Sequence, residues 1–472
     1  MRLRVKNFGP IQQVDIDFQN LTVLIGKNNL GKSYLAQLYY VVIDCTKQAI
    51  GPVVPSWALD LDLELGDDEY LFYSNLGPQR EQLRDLAKRI TTDNLPNSAI
   101  IQSLTQIFLS NLSERLTKTM RLSLERSFGV DISKLVNINC SSSIIRWSIN
   151  NYLDVSAELT ERGLLKASID INENWIKESE NALRSSKVFV LLRSAGKRKT
   201  VHLAKLYRGI WKLLISRQTR KNWRGKPYYI PAGRGGLIES YETVVQGLVS
   251  LSPVAPVRGL SLPPMPGMAA QFYSVMLKLK NNRGPLNRIV SESFKKMFRG
   301  EIQLRKIKGQ PKFRMIYKFS LGKKTGSTDL IHAASMVKEL TPIYFIVKEL
   351  VKYGDYLLIE EPESHLHPGA QMKMADVIGD IACNKVNVLI TTHSDFMLRA
   401  VGHALGRRIE KSHKLPLIEY SAIYLLKEGE TGCKSERIQL SKQGIIEEIP
   451  SIDEVVKELY ETEQKLENEI LR

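Results

Sequence analysis

Eight consecutive residues carry the clearest chemistry in the chain, the run GKNNLGKS from Gly26 to Ser33. Its two glycines let the backbone turn tightly, so that successive N–H groups point inward at phosphate oxygens. Lys32 can reach the β- and γ-phosphates of a nucleotide, and the Ser33 hydroxyl can ligate Mg²⁺. The predicted phosphate contacts come from the whole loop: Gly26, Lys27, Asn28, Asn29, Gly31, Lys32 and Ser33.

Two further segments supply groups that suit cleavage of a phosphoanhydride. Glu360 and Glu361 follow one apolar run, and His393 follows another. Glu360 can hold the Mg²⁺ shell, and Glu361 can orient and deprotonate an attacking water. His393 can contact a γ-phosphate through a ring nitrogen. The plainer alternatives are two solvated carboxylates at a strand end, and a histidine that caps a helix or lies in the core.

The segments around these residues predict the elements that position them. Leu21–Ile25 predicts a short buried strand before the glycine loop, and the residues from Tyr34 onward predict a helix after it. Residues 355–359 and 387–391 predict two more buried strands. A strand before and a helix after the loop provide the context that this phosphate motif requires. The predicted fold class is therefore α/β.

Charge is the most informative feature of the composition. The 472 residues include 67 Lys and Arg against 50 Asp and Glu, which gives a net charge of +17. Such a balance indicates an anionic polymer as partner, nucleic acid before membrane. Plain solubility, or the charged surface of a thermophilic protein, is the alternative.

The positive charge is concentrated in residues 181–238, which contain no Asp or Glu. Residues 199–221 have apolar positions at helical spacing on one side and basic positions on the other, with aromatic residues interleaved. Such a segment suits a phosphodiester backbone, and its aromatic rings could stack on bases. A solvated or protein-binding face, and a helix on a membrane surface, are the alternatives. The predicted nucleic-acid contacts are Lys197, Arg198, Lys199, Lys205, Arg208 and Lys212.

Cysteine usage and hydropathy favour a cytoplasmic protein. The four cysteines are scattered and form no C-x-x-C pair, which fits a reducing compartment and argues against a zinc site. No apolar run approaches the ~20 residues that span a bilayer. The N-terminus enters strand-like alternation at once, so we expect no signal peptide.

Three segments together resemble a known family, the ABC-type ATPases of the RecF/SMC-like and OLD-like branch, which include many stand-alone AAA-domain proteins. They are IEEPESHLHP (Ile359–Pro368), TTHS (Thr391–Ser394) and the opening run that ends in LTVLIGKNNLGKS. The resemblance covers about Met1–Val42 and Leu330–Arg472. The middle of the chain shares only YYIPAGRGGL, which is similar to an IPAxR segment of such proteins; we expect a structural role for its arginine, Arg234.

The resemblance implies an ABC-type ATPase head that uses ATP and Mg²⁺ and has a two-lobed core of mixed sheet and helices with a largely helical insertion. Two protomers would face head to tail with two ATP molecules between them. Ser335 matches the signature serine, which would contact the γ-phosphate bound by the other protomer. Met336 stands where the family commonly has glycine, so a plain buried helix serine is the alternative. For His365 and His367 a structural role is expected before a metal site.

The resemblance at the two ends, and the periodicity and charge of the segments between them, together give the expected domain boundaries. The ATPase core is expected in two parts, 1–75 with the phosphate loop and 330–450 with the signature, the two glutamates and His393. Between them we expect a helical insertion (76–140), a strand and basic helical segment (141–251) and a linker with a basic hairpin (252–329). A C-terminal helix (451–472) is expected to dock on the body through its apolar side.

Two classes of function follow from these features. The first is an ATP-gated, nucleic-acid-associated switch that acts in DNA repair or anti-phage defence. Because the chain shows no acidic nuclease cluster, any nuclease is expected to be a separate protein. The second is a slow-turnover sensor or scaffold ATPase that binds a protein partner. A transporter's nucleotide-binding subunit fits poorly, because the basic middle segment does not suit a membrane-coupling loop.

Overall fold

The computed structural model describes residues 1–50, 98–149, 153–171, 225–251, 265, 267–306, 313–322, 324–411, 420–441, 443–446 and 457–464. Their contacts divide the chain into two compact units. The first contains Met1–Lys6, Val41–Leu124 and Asp131–Arg224, and the second contains Asn7–Tyr40, Glu125–Val130 and Gly225–Arg472.

The first unit is an antiparallel sheet covered on one face by helices. Its strands are β1 (Arg2–Phe8, as far as Lys6), β4 (Ser142–Ser148), β5 (Leu153–Thr160) and β6 (Leu165–Ile171). Burial alternates along each strand, as expected when only one face meets the core. Two helices contribute residues here, α1 (Lys32–Ile50) and α2 (Ser98–Phe128). Trp147 Nε1 on the sheet donates to Thr46 Oγ1 of α1 at 3.1 Å, and Ala167 N donates to Thr117 Oγ1 of α2 at 3.0 Å.

The second unit is built on a mixed sheet with a parallel centre. The order is β2-β14-β13-β3-β12-β11-β7, and β13, β3, β12, β11 and β7 run parallel to one another. The strand bounds are β2 Ile11–Asp17, β3 Leu21–Gly26, β7 Pro227–Ile230, β11 Tyr356–Glu360, β12 Asn387–Thr392, β13 Ser421–Glu428 and β14 Cys433–Ile438. Nearly every residue of β3, β11 and β12 is buried, as both faces of a parallel sheet are covered. The carboxyl ends of these strands therefore meet at one edge.

Helices and a small sheet complete the second unit. The helices are α3 (Arg234–Leu251), α4 (Gly267–Met276), α5 (Asn287–Phe298), α6 (Ser335–Phe345), α7 (Pro368–Cys383) and α8 (Asp395–Lys411). The small antiparallel sheet has the order β10-β9-β8, with β8 Gly300–Lys306, β9 Phe313–Leu321 and β10 Lys324–Asp329. Phe272, Phe294 and Phe345 lie fully buried in the core among these elements.

The predicted α/β class is confirmed, and most local predictions hold. Strands lie where the sequence predicted them around the glycine loop and the two glutamates. The hairpin predicted over residues 302–319 has a third strand, β10, whose polar sequence gives no strand signal. Residues 457–464 are helical, but every side chain there is exposed and Leu459 is 60% exposed. Leu459 is the residue of the predicted apolar side that lies within the described part, so the docking of helix 451–472 stays a prediction. Across the described parts of the chain, no helix combines the length and apolar character needed to cross a bilayer.

Candidate active site

The candidate site lies where the parallel strands of the second unit end. β3 ends at Gly26, β11 ends at Glu360, and β12 ends one residue before His393. β12 pairs with both β3 and β11, so three groups that are far apart in sequence follow neighbouring strands. A crevice at the carboxyl edge of a parallel sheet is where α/β proteins commonly bind ligands.

The glycine loop has the backbone conformation that its sequence requires. Gly26 has φ +155° and Gly31 has φ +79°, values that other residues rarely adopt. A side chain at Gly26 would also place its Cβ 2.6 Å from the carbonyl oxygen of Leu426. Asn29 is left-handed as well, at φ 61°, which asparagine tolerates better than most residues. The side chains of Lys27, Asn28 and Asn29 are exposed, and helix α1 begins at Lys32.

Lys32 is held inside the loop. Its Nζ donates to the carbonyl oxygens of Gly26 at 2.8 Å and Lys27 at 2.6 Å, and the residue is only 5% exposed. Burial lowers the pKa of Lys32 to about 8, while the charge of Glu361, and then that of Glu363, opposes the shift. The ammonium group therefore lies between the loop and the carboxylates that follow β11.

Glu360 presents a carboxylate oxygen that suits a bound cation. Its Oε2 accepts from Ala232 N at 3.0 Å, while its buried Oε1 has no hydrogen-bond partner among the described residues. The buried side chain of Tyr229 lies near this carboxylate: burial raises the pKa of Tyr229, and the charge of Glu360 adds to the shift. An orphaned carboxylate oxygen and the exposed Ser33 hydroxyl are ligands of the kind that Mg²⁺ prefers.

Glu361 and His393 face each other across the ends of β11 and β12. Glu361 Oε1 lies 3.4 Å from His393 Nε2, and Ser364 Oγ donates to Glu361 Oε2 at 3.2 Å. Glu361 has φ 42°, a left-handed conformation that is strained for a non-glycine residue. Burial lowers the pKa of His393, the charge of Lys32 lowers it further, and Glu361 opposes both. The imidazole is therefore neutral at pH 7 and can donate one N–H.

Sequence reasoning missed Glu363, which organises the backbone at His393. Glu363 Oε1 accepts from Thr392 Oγ1 at 2.5 Å and from His393 N at 3.2 Å. Burial raises the pKa of Glu363, and these two hydrogen bonds oppose the rise. Its position two residues after Glu361, in the same run beyond a buried strand, was the available signal.

Arg234 is the largest fully buried side chain in the second unit, with 0% exposure. Its guanidinium donates to the carbonyl oxygens of Glu339 (3.0 Å), Glu360 (2.8 Å) and Glu361 (3.1 Å). The structural role predicted for Arg234 agrees with this position. Its partner on α6, Glu339, was not predicted as a site residue.

The remaining predicted residues have simpler surroundings. Ser335 is the exposed first residue of α6, and Met336 is half-buried beside it. His367 Nδ1 caps α7 by accepting from Gly369 N at 3.3 Å, and among the described residues no group of three or more His, Cys, Asp or Glu could hold a metal ion. The predicted nucleic-acid contacts lie outside the described residues: Lys197, Arg198, Lys199, Lys205, Arg208 and Lys212.

Comparison with known families supports an ATP-binding P-loop ATPase. The family model described as AAA ATPase domain matches residues 1–75 and 281–398, which include the glycine loop, Glu360, Glu361 and His393. No curated protein matches the chain.

Similar solved structures are head domains of SMC proteins. One is an SMC head bound to the C-winged helix domain of ScpA, at 12% identity, 93% coverage of this chain, 98% of that chain and a TM-score of 0.38. Another is an SMC head with an extended coiled coil bound to the C-terminal domain of ScpA derived from Pyrococcus furiosus, at 11% identity, 98% coverage of both chains and a TM-score of 0.38. A third is the SMC head domain from Thermotoga maritima, at 10% identity, 93% and 98% coverage and a TM-score of 0.37. Scores this low transfer neither a function nor a partner.

Proposed function

We propose that this protein is an ABC-type ATPase that binds ATP with Mg²⁺, dimerises on it and acts as a nucleic-acid-associated switch. The observation that carries the proposal is the convergence of Lys32, Glu361 and His393 at one edge of the parallel sheet. In this arrangement Lys32 balances the charge of the β- and γ-phosphates. Glu361 removes a proton from the attacking water, and His393 donates to a γ-phosphate oxygen.

Ser33 and Glu360 are the residues that would hold Mg²⁺. The orphaned Oε1 of Glu360 supports this assignment, because a buried carboxylate oxygen is costly without a partner. When bound, the ion would neutralise charge on the phosphate oxygens.

The dimer is proposed from the position of Ser335. It stands exposed at the N-terminus of α6, where backbone N–H groups and the helix dipole favour an anion. In a head-to-tail dimer this end of α6 would meet the γ-phosphate bound by the second copy. ATP would then close the dimer, and hydrolysis would open it.

Nucleic acid is the proposed partner because the charge is both large and local. The net charge is +17, and residues 181–238 contain no acidic residue at all. The setting we propose is DNA repair or anti-phage defence in the cytoplasm, beside a separate nuclease.

A specific observation favours the alternative, a slow scaffold ATPase: helix 457–464 is acidic and leaves Leu459 and Tyr460 exposed, as a protein-binding helix would. DNA binding by the purified protein separates the two.

Glu361→Gln tests the ATPase assignment directly. The variant keeps the side chain's size but loses the base, so it should bind ATP normally and hydrolyse it at least ~100-fold more slowly. It should also accumulate as a dimer with ATP in size-exclusion chromatography. Glu436→Gln, at an exposed carboxylate on β14, is the matched control and should leave turnover unchanged. Wild-type turnover in Glu361→Gln would refute the assignment.

A further inference from the structure

The buried guanidinium group of Arg234 contacts two separate segments beside the candidate site. Nε donates to the carbonyl oxygen of Glu339 at 3.0 Å, and Glu339 Oε2 lies 3.3 Å from Nε in an ion pair. Nη1 donates to Glu360 O at 2.8 Å, and Nη2 donates to Glu361 O at 3.1 Å. Helix α6 and the end of β11 therefore share one cation.

The guanidinium is held in this place from several directions. Pro231 O, in the turn before α3, also accepts from Nη1 at 3.4 Å. The carboxylate of Glu339 is fixed by Gly235 N, which donates to its Oε1 at 3.0 Å. A Cβ at Gly235 would come within 2.6 Å of that oxygen, so a larger residue here would displace the carboxylate. Arginine remains charged even when buried, and five donors in a rigid plane let it satisfy all these acceptors together.

The backbone of Glu361 needs such support. Its φ of 42° is a strained conformation that persists only where the surroundings determine it. Three hydrogen bonds hold its peptide groups: Glu361 N donates to Thr391 O at 2.9 Å, and Glu361 O accepts from Arg234 Nη2 at 3.1 Å and from Ser364 N at 3.0 Å. The first ties Glu361 to β12, and the second ties it to the helix that begins at Ser335.

We infer that Arg234 is a positioning residue for hydrolysis: it fixes the backbone of Glu361 and locks it to α6, one helical turn from Ser335. The inference rests on the proposed ATPase function. It goes further because it states that a buried residue outside the phosphate loop and the two glutamates affects the rate of ATP hydrolysis. Loss of the Arg234 guanidinium should leave the phosphate loop intact and should displace Glu361, the proposed general base.

Arg234→Lys is the first test, because lysine keeps the buried positive charge but cannot reach three carbonyl oxygens. We expect turnover to fall roughly 10- to 100-fold, since small displacements of a reacting group have effects of this size. The dissociation constant for ATP should stay within about twofold of wild type. Arg407→Lys, at a half-exposed arginine on α8, is the matched control and should change neither value.

A double-mutant cycle separates positioning from a general structural role. If Arg234 acts through Glu361, Arg234→Lys should add no further loss in the Glu361→Gln background, measured by single-turnover hydrolysis. Equal losses in both backgrounds would overturn the inference, as would wild-type turnover in Arg234→Lys. If Arg234→Lys does not fold, Glu339→Gln decides: it keeps the acceptor for Gly235 N but removes the charge that anchors the guanidinium. A fall in its turnover at unchanged ATP affinity supports the inference, and unchanged turnover overturns it.

The two proposals can fail separately. If Glu361→Gln hydrolyses ATP at the wild-type rate, the ATPase assignment fails. If Glu361→Gln is slow but the Arg234 and Glu339 variants are not, the positioning inference alone fails.

Discussion

His393 Nε2 lies 3.4 Å from Glu361 Oε1, so the imidazole and the carboxylate that follow two neighbouring strands face each other directly. Burial and the nearby charge of Lys32 keep the pKa of His393 below its ordinary value, against the opposing charge of Glu361. The pair therefore consists of a neutral ring and a carboxylate, which leaves the carboxylate able to accept a proton.

A neutral His393 predicts how activity and stability respond to acid. Its pKa is lower in the folded than in the unfolded protein, so the unfolded state binds more protons as the pH falls through 6.5, the ordinary value. The contribution to stability is present above that pH and is lost below it. We expect ATP turnover to be constant from pH 7.5 to 6.5 and to fall below that range.

His393→Ala, which removes both the titrating ring and its N–H donor, isolates this effect. It should lower turnover by about 10²-fold, the usual cost of losing one donor to a developing charge. It should also reduce the drop in thermal unfolding temperature between pH 7.5 and 5.5, measured by calorimetry. An unchanged drop in the variant would assign the acid sensitivity to another group.

Lys32→Ala should weaken ATP binding. A hydrogen bond between charged groups contributes about 1.5–3 kcal/mol, so the dissociation constant should rise roughly 10- to 100-fold. Fluorescent ATP titration measures it, and Lys6→Ala, at an exposed lysine on β1, should leave the constant unchanged. Wild-type affinity in Lys32→Ala would be incompatible with a phosphate-binding loop at Gly26–Ser33.

Glu360→Gln should change the requirement for Mg²⁺ more than the affinity for ATP. Its Oε2 contact with Ala232 N can be kept by the amide oxygen, while the orphaned Oε1 position loses its charge. The Mg²⁺ concentration for half-maximal turnover should therefore rise, and EDTA should stop wild-type turnover. If the Mg²⁺ dependence of the variant is that of wild type, Glu360 does not hold the ion.

The parts of the site that the sequence predicted are those determined locally. The run from Leu21 to Ser33 contains the strand, the loop and the start of the helix, and each has its own signal within a few residues. Glu360 and Glu361 are likewise marked by the buried strand that they terminate. Once three such strands are placed in parallel, their carboxyl ends have to meet at one edge.

The parts that the sequence did not predict depend on distant pairing. Arg234 contacts Glu360 because β7 pairs with β11, although more than a hundred residues separate the two strands in sequence. Hydrophobic periodicity within each segment does not predict which strands pair or in which register. In the sequence, Glu339 is one of several charged residues of a predicted helix. Its role depends on its contacts with Arg234 and Gly235, which only the fold brings together. Strand β10 lacks apolar residues and none of its side chains is buried, so its pattern shows no core face.

Ser335→Arg tests the proposed dimer. Ser335 is exposed, so a larger side chain can be accommodated in the monomer, but a bulky cation would meet the γ-phosphate region of the facing copy. We expect normal ATP binding, loss of the ATP-induced dimer in size-exclusion chromatography, and loss of turnover. The control is Lys338→Arg. Lys338 lies on the same helix as Ser335, is partly buried and pairs with Glu239 of α3, and this variant should dimerise normally. A dimer that persists with full turnover in Ser335→Arg would place the interface elsewhere.

Charge reversal tests the basic segment as the nucleic-acid contact. The variant carries glutamate at Lys197, Arg198, Lys199, Lys205 and Arg208. Each lost phosphate contact should remove roughly 0.9 from the slope of log K against log salt on duplex DNA. Affinity and slope, measured by fluorescence anisotropy at several salt concentrations, should therefore both fall. ATP binding should survive, because these residues are far in sequence from the phosphate loop and the two glutamates.

A second variant with the same change in charge shows whether the position of the charge matters. It carries glutamate at five exposed or half-exposed lysines of the described residues, Lys118, Lys166, Lys296, Lys427 and Lys457. Surface ion pairs contribute little to stability, so this protein should fold and should keep a steeper salt slope than the first variant. Equal losses in the two variants would mean that only total charge attracts DNA. Wild-type affinity and slope in the first variant would make the segment a solvated or protein-binding face, and the scaffold function would then be favoured.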